Sequence, residues 1–340
     1  MQQQHRFRVN KQQQLPDFAG DYFSKSKIDR TGKKIVFQDS TNGIYSGYLD
    51  EMIVEKRFVC GEEIYDFDLV AMEHSITEED SSIIVTSKNA PLQLKNLTDG
   101  MTKATYPTID QREINQFPVA TAASFDGKRI AAGCTNGTIS LFETAFENSC
   151  TPLKIPSVKG CISHLSFSAF TMNSLFFAAY QEGNIFGLAD LRCEEAPLLC
   201  FDDSAASFGI YTVKQVTEHL LLTAVRRSSF IDCWDLRMMQ EKVASIPRAV
   251  PQTFQKMHFD IGYSASGNVC VVAGDANGSL SCTDLQTLAC ESIPLSSNIE
   301  LPIPTVSLAW NSPSTFHCVC TAGTRELNAT CIYSVTIQQQ

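Results

Sequence analysis

His317, Cys318, Cys320 and Cys331 carry the imidazole and thiol groups that hold zinc, and Gly262-Tyr263-Ser264-Ala265-Ser266-Gly267 approaches the Gly-x-Ser-x-Gly turn that presents a serine nucleophile. Neither pattern survives its own spacing. Cys-x-Cys on a strand sends both thiols to one face, beside apolar neighbours, where they read as buried thiols rather than ligands. In the serine segment the second glycine falls one position late, and the context is a hairpin rather than strand-turn-helix. No glycine-rich loop with a lysine for phosphate is present. The expectation is a binding surface, with no catalytic residue, no metal, no cofactor and no small-molecule substrate.

The elements that must carry such a surface repeat. Tight polar turns at Gly43, Ala90, Gly137, Gly183, Ser229 and Gly278 follow one another at intervals of 46 to 49 residues, each between two apolar strand-like runs. A period of roughly 40 to 50 residues built from short strands is the mark of a β-propeller. The third unit is the clearest: Val119 to Phe125, Asp126-Gly127, Arg129 to Gly133, Thr135-Asn136-Gly137, then Ile139 to Phe142. Only the fifth unit ends in the Trp-Asp pair of WD repeats, at Trp234 and Asp235. The expected fold is therefore all-β, a seven-bladed WD40-type β-propeller with degenerate repeats. Trp234 and Asp235 are read as structural, the indole packing between strands and the carboxylate anchoring a turn.

The chain stops just after the third strand of unit seven, so the fourth must come from elsewhere, because an open propeller exposes two sheet edges. Phe7 and Val9 alternate with Arg6, Arg8 and Asn10 as a short strand would. Against a frayed basic tail, the expectation is that this N-terminal strand closes the ring. The division is an arm over 1–17, the propeller over 18–335 and a short tail over 336–340.

Hydrophobic residues make up 44% and charged residues 19%, which excludes a disordered chain. No run approaches the ~20 apolar residues of a membrane span, and MQQQHRFRVNKQQQ lacks the apolar core of a secretory signal, so a soluble intracellular protein with no membrane partner is expected. The 13 cysteines lie singly within strands, as small buried residues in a reducing compartment do. The sequons at Asn96, Asn136, Asn277 and Asn328 are read as turns, two of them Asn-Gly. A net charge of −10 argues against a broad grip on nucleic acid and leaves room for a local basic patch.

Four segments go beyond a generic propeller. Gly61-Glu62-Glu63-Ile64-Tyr65-Asp66-Phe67, followed by Ser87-Lys88-Asn89-Ala90-Pro91-Leu92 at a blade turn, is similar to the second blade of the telomerase Cajal body protein family. Arg226-Arg227-Ser228-Ser229-Phe230-Ile231-Asp232-Cys233-Trp234-Asp235-Leu236-Arg237 resembles that family's basic turn followed by Cys-Trp-Asp-Leu-Arg. Lys256-Met257-His258-Phe259-Asp260-Ile261 resembles the start of its next blade, and Leu15 to Phe23, at Pro16 and Phe18, the approach to its first. The likeness runs over roughly residues 15 to 335. It departs at the ends, where the family's acidic, proline-rich extension is replaced by a glutamine-rich arm and the insertion and tail around the last blade are missing.

The resemblance implies a non-enzymatic RNA adaptor. It would bind the CAB-box loop of H/ACA small Cajal body RNAs, with telomerase as a partner where its RNA has that motif, and direct the ribonucleoprotein, with Cajal body proteins, to Cajal bodies in the nucleus. An additional cytoplasmic pool is left open. Unpaired loop bases stack on aromatics or guanidinium planes, so the turns between second and third strands and the segments leading into each first strand are where contacts are sought. The candidates are Lys88, Arg226, Arg227 and Arg325 from turns, with Arg112, Lys159 and Lys256 nearby, and Tyr65, Tyr211, His164 and His258 near the starts of first strands. Trp234-Asp235-Leu236-Arg237 also matches the motif by which propellers dock on the adaptor of cullin ubiquitin ligases, and Asp190-Leu191-Arg192 partly echoes it. The alternative function is therefore a protein-interaction scaffold such as a ubiquitin-ligase substrate receptor, using Arg237 and Arg192.

Overall fold

The computed structural model describes residues 5–14, 22–29, 31–51, 53–70, 81–109, 114–154, 160–180, 185–192, 198–202, 208–238, 241–248, 255–263, 268–295, 301–312, 315–323 and 331–339. Among them there is no helix, hence none long and apolar enough to cross a membrane, and the strands form seven four-stranded antiparallel sheets. The fold is a seven-bladed β-propeller. The chain divides into two compact units, Met1–Val59 with Ile246–Gln340, and Cys60–Ser245.

In the first unit, blade one is Phe23–Ile28, Lys34–Asp39, Gly43–Tyr48 and Val54–Val59. Blade six is Phe259–Tyr263, Val269–Gly274, Ser279–Asp284 and Cys290–Pro294. Blade seven takes Thr305–Ser312, Thr315–Ala322 and Cys331–Gln339, and its fourth strand is His5–Gln14. The N-terminal arm thus pairs as its alternation indicates: Phe7 lies opposite Ile337 and Val9 opposite Val335, with a bulge before Lys11. Asn10 Nδ2 donates to Thr336 Oγ1 at 2.5 Å across the same pair.

Buried thiols line the contact of blades six and seven. Cys270, Cys282, Cys318, Cys320 and Cys331 pack there with Phe316, Tyr333 and Val335. Contact between Cys318 and Cys320 and burial together raise the Cys318 thiol well above its ordinary value, so it stays protonated and inert. Among the described residues no group of His, Cys, Asp or Glu is arranged to hold a metal ion.

In the second unit, blade two is Ile64–Val70, Ser82–Ser87, Leu92–Asn96 and Thr102–Tyr106, and blade three Pro118–Ala123, Arg129–Cys134, Thr138–Glu143 and Phe146–Lys154. Blade four is Cys161–Phe167, Ser174–Tyr180, Ile185–Asp190 and Leu198–Asp202, and blade five Ile210–Gln215, Leu220–Val225, Phe230–Asp235 and Lys242–Pro247, the last two residues of which are counted with the first unit. Second strands are near-continuous apolar runs because they are covered on both faces; Ser82–Ser87 is buried at every position.

The first strands of blades one to five share a bulge. The register skips Ser24, Tyr65, Val119, Ser163 and Tyr211. In two of these strands the residue after the bulge reaches the neighbouring blade. In blade two Asp66 Oδ2 accepts Thr121 N–H at 3.0 Å, and in blade four His164 Nδ1 accepts Val213 N–H at 3.3 Å. Asp68, two residues beyond Asp66, and Asp260, in the unbulged first strand of blade six, likewise accept the N–H groups of Ala123 and Leu308 in the next blade. His164 therefore holds blades four and five together. His164→Leu is expected to strand the Val213 N–H, on a residue 0% exposed, and cost about 1–3 kcal/mol in urea unfolding. His164→Asp, which restores the acceptor found in blade two, should recover most of that loss.

The turns between second and third strands explain the regular spacing. Each of five contains one residue in the left-handed region: Asn42 (φ 70°), Asn89 (φ 55°), Gly137 (φ 81°), Arg227 (φ 58°) and Gly278 (φ 80°). Asn and Gly accept this conformation readily. Arg227 does not, and stands out among the five.

Candidate nucleic-acid interface

The Arg226-Arg227 turn is built on the segment that leads into blade five. Arg226 N–H donates to the carbonyl of Gly209 at 3.2 Å, and Ser228 N–H to that of Val225 at 3.3 Å, closing the turn. The left-handed backbone at Arg227 lays its guanidinium over the Phe208 ring, 4.5 Å from the centroid. A non-glycine residue so placed costs about 1–2 kcal/mol, and strain of this size concentrates at functional sites.

Next to it, Tyr180 ends the second strand of blade four. Its Cβ and Cγ pack against Gly209, whose carbonyl receives the Arg226 N–H; burial and the Cys161 thiol raise its hydroxyl pKa, and the charge of Arg226 pulls it partly back. Phe230, 47% exposed, opens the strand that follows the turn. Tyr180, Phe208 and Phe230 were not among the residues singled out from the sequence. Each flanks a turn or a first strand, the positions where contacts were sought.

The other candidates scatter. Lys88 sits in the corresponding turn of blade two and pairs with Glu63 at 3.6 Å, both side chains more than half exposed. Tyr65 is half-buried at its bulge. Tyr211 occupies the equivalent bulge in blade five, but at 2% exposed its ring has no face for a base. His164 is half-buried, with Nδ1 accepting the Val213 N–H. Lys256 and His258 are half-buried in the first unit, on either side of the buried Met257. The Met257 carbonyl is held by Nη1 of the buried Arg248 at 2.7 Å. Arg112, Lys159 and Arg325 lie outside the described residues.

At the opposite end of the Phe230–Asp235 strand, about 20 Å from the basic turn by strand rise, Asp235 accepts the Arg237 backbone N–H and Nε, each at 2.9 Å. Asp190 and Arg192 repeat this arrangement in blade four. Arg237's side-chain hydrogen bonds and its backbone N–H hold the Asp235 carboxyl at about 2, and Arg192 does the same for Asp190. A depressed carboxylate supports its turn above the ordinary value near 4 and loses that support as pH falls toward about 2. Arg237→Gln is expected to return Asp235 toward that ordinary value while Asp190 stays low, as read by carboxyl NMR titration. Trp234, on the buried side, donates Nε1–H to Thr223 Oγ1 at 2.9 Å and packs on Phe186, centroids 5.0 Å apart.

No family model matches the sequence. Telomerase Cajal body protein 1 of Mesocricetus auratus is 25% identical over 253 residues, 69% of this chain and 43% of that protein. This chain is similar to the telomerase Cajal body proteins. The human protein is 25% identical over 252 residues, 69% of this chain, and the Drosophila melanogaster homolog 24% over 231, 66% of this chain. The chain spans about 43% of the length of the telomerase Cajal body proteins it matches. With the propeller fold, these relatives support a WD40-type scaffold. The segment from Arg226 to Arg237 runs from the basic turn at one end of blade five to the Asp235-Arg237 pair at the other.

Proposed function

We propose that this chain is a non-enzymatic RNA adaptor that binds the CAB-box loop of H/ACA small Cajal body RNAs, telomerase RNA included where it has that loop, and carries the particles to nuclear Cajal bodies. The observation that carries the reading is Arg227: an arginine in a strained left-handed turn, where four other blades use Asn or Gly, stacked on an aromatic ring beside a second arginine. A guanidinium plane fixed in this way suits an unpaired base or its phosphate. Relatives named for telomerase and the Cajal body support the choice of RNA class. Fluorescence anisotropy with a hairpin carrying the CAB-box loop, and with the same stem closed by an unrelated loop, tests it. Preference for the first is expected. Equal binding of both, or of plain duplex, would sink it.

A second reading has its own support. Arg192 and Arg237 make the same ion pair with Asp190 and Asp235 in adjacent blades, a repeated surface suited to the cullin-ligase adaptor. Co-elution with that adaptor, lost in Arg237→Ala, is the result it requires.

A further inference from the structure

Phe208 and Gly209, adjacent in the segment leading into blade five, each support one side chain of the basic turn's surroundings. Phe208 lies under the Arg227 guanidinium. Gly209 lies against Tyr180: a Cβ added there would stand 2.9 Å from both Cβ and Cγ of Tyr180, so only glycine lets the tyrosine lie on this backbone. The Gly209 carbonyl also receives the Arg226 N–H. One dipeptide thus holds an aromatic ring, the Arg227 guanidinium and the Arg226 backbone with respect to one another. Tyr180 remains 38% exposed, although the five residues before it in the strand are at most 1% exposed. A tyrosine at a strand end needs none of this support merely to reach water.

We infer that Tyr180 is the base-stacking residue of this site, taking an unpaired nucleotide whose base lies on the tyrosine ring and whose phosphate meets Arg226 and Arg227. The inference rests on the RNA-binding reading and goes beyond it in assigning the base and phosphate to separate groups. Stacking on an aromatic is tolerant of base identity and insensitive to salt, while phosphate contacts are strongly salt-dependent. The two contributions can therefore be separated.

The test is RNA affinity across a salt series for wild type, Tyr180→Phe, Tyr180→Leu and the Arg226/Arg227 double variant. Tyr180→Phe should bind within about threefold of wild type. Tyr180→Leu, which keeps apolar bulk and therefore the fold, should lose about tenfold or more with an unchanged salt slope, as loss of stacking predicts. Ultraviolet crosslinking of the bound loop should place an adduct on Tyr180. Full affinity in Tyr180→Leu, or a loss that comes with a reduced salt slope, overturns the assignment. If wild type binds no RNA, the failure belongs to the RNA-binding reading itself.

Discussion

Arg226→Ala combined with Arg227→Gly is expected to lower affinity for an unpaired RNA loop at least tenfold while leaving the melting temperature unchanged or higher. The affinity loss follows from removing two charge-assisted contacts, each worth about 1.5–3 kcal/mol when made to phosphate or base. For a single strand, each lost phosphate contact also reduces the slope of log affinity against log salt by about 0.7. The stability gain follows from the backbone. Arg227 has φ 58°, and glycine occupies that region without the Cβ clash that costs arginine about 1–2 kcal/mol, a gain partly offset by the greater freedom of the unfolded chain. A purely structural arginine would not behave this way, since its loss would weaken the fold and leave binding alone. Isothermal titration paired with thermal unfolding of the same preparations reads both quantities. A variant that is less stable and binds normally would show Arg226 and Arg227 to be structural only.

Trp234→Ala carries the largest stability effect. The side chain is 4% exposed, packs on Phe186 and sits beneath Lys242, whose ammonium lies 5.4 Å from the ring. Truncating it leaves a cavity and removes the donor to Thr223, which is itself 0% exposed. The cost is about 3–5 kcal/mol, read as a shift of the urea midpoint. Trp234→Phe fills most of the space, leaves the Thr223 hydroxyl without that donor and should fall between. Because the basic turn is at the other end of the strand, the fraction of Trp234→Ala that remains folded should bind RNA like wild type.

The propeller was readable from sequence because two features repeat in the chain itself: a polar turn every 46 to 49 residues and a buried second strand before it. Even the closing strand was legible, since Phe7 and Val9 alternate with polar residues and pair opposite Ile337 and Val335. The site was less so. Tyr65 and Tyr211 stand at the same bulge in their strands, and nothing local distinguishes the half-buried ring from the one that is 2% exposed; packing by neighbouring blades decides it. His164 reads as an exposed aromatic candidate until the bulge at Ser163 turns its ring toward Val213, a partner 49 residues away. The left-handed backbone of Arg227 has no signature in the string Arg-Arg-Ser-Ser, because the usual markers of positive φ are Gly and Asn. Tyr180 was missed for a related reason: its support comes from Gly209, which belongs to the next blade.

Crosslinking immunoprecipitation of the tagged protein from its own cells, with sequencing of the attached RNA, decides whether it is an RNA adaptor. Enrichment of H/ACA-type small nuclear RNAs with crosslinks inside a hairpin loop, lost in the Arg226/Arg227 variant, is expected. Recovery of background RNA alone, unchanged by that variant, would contradict that role.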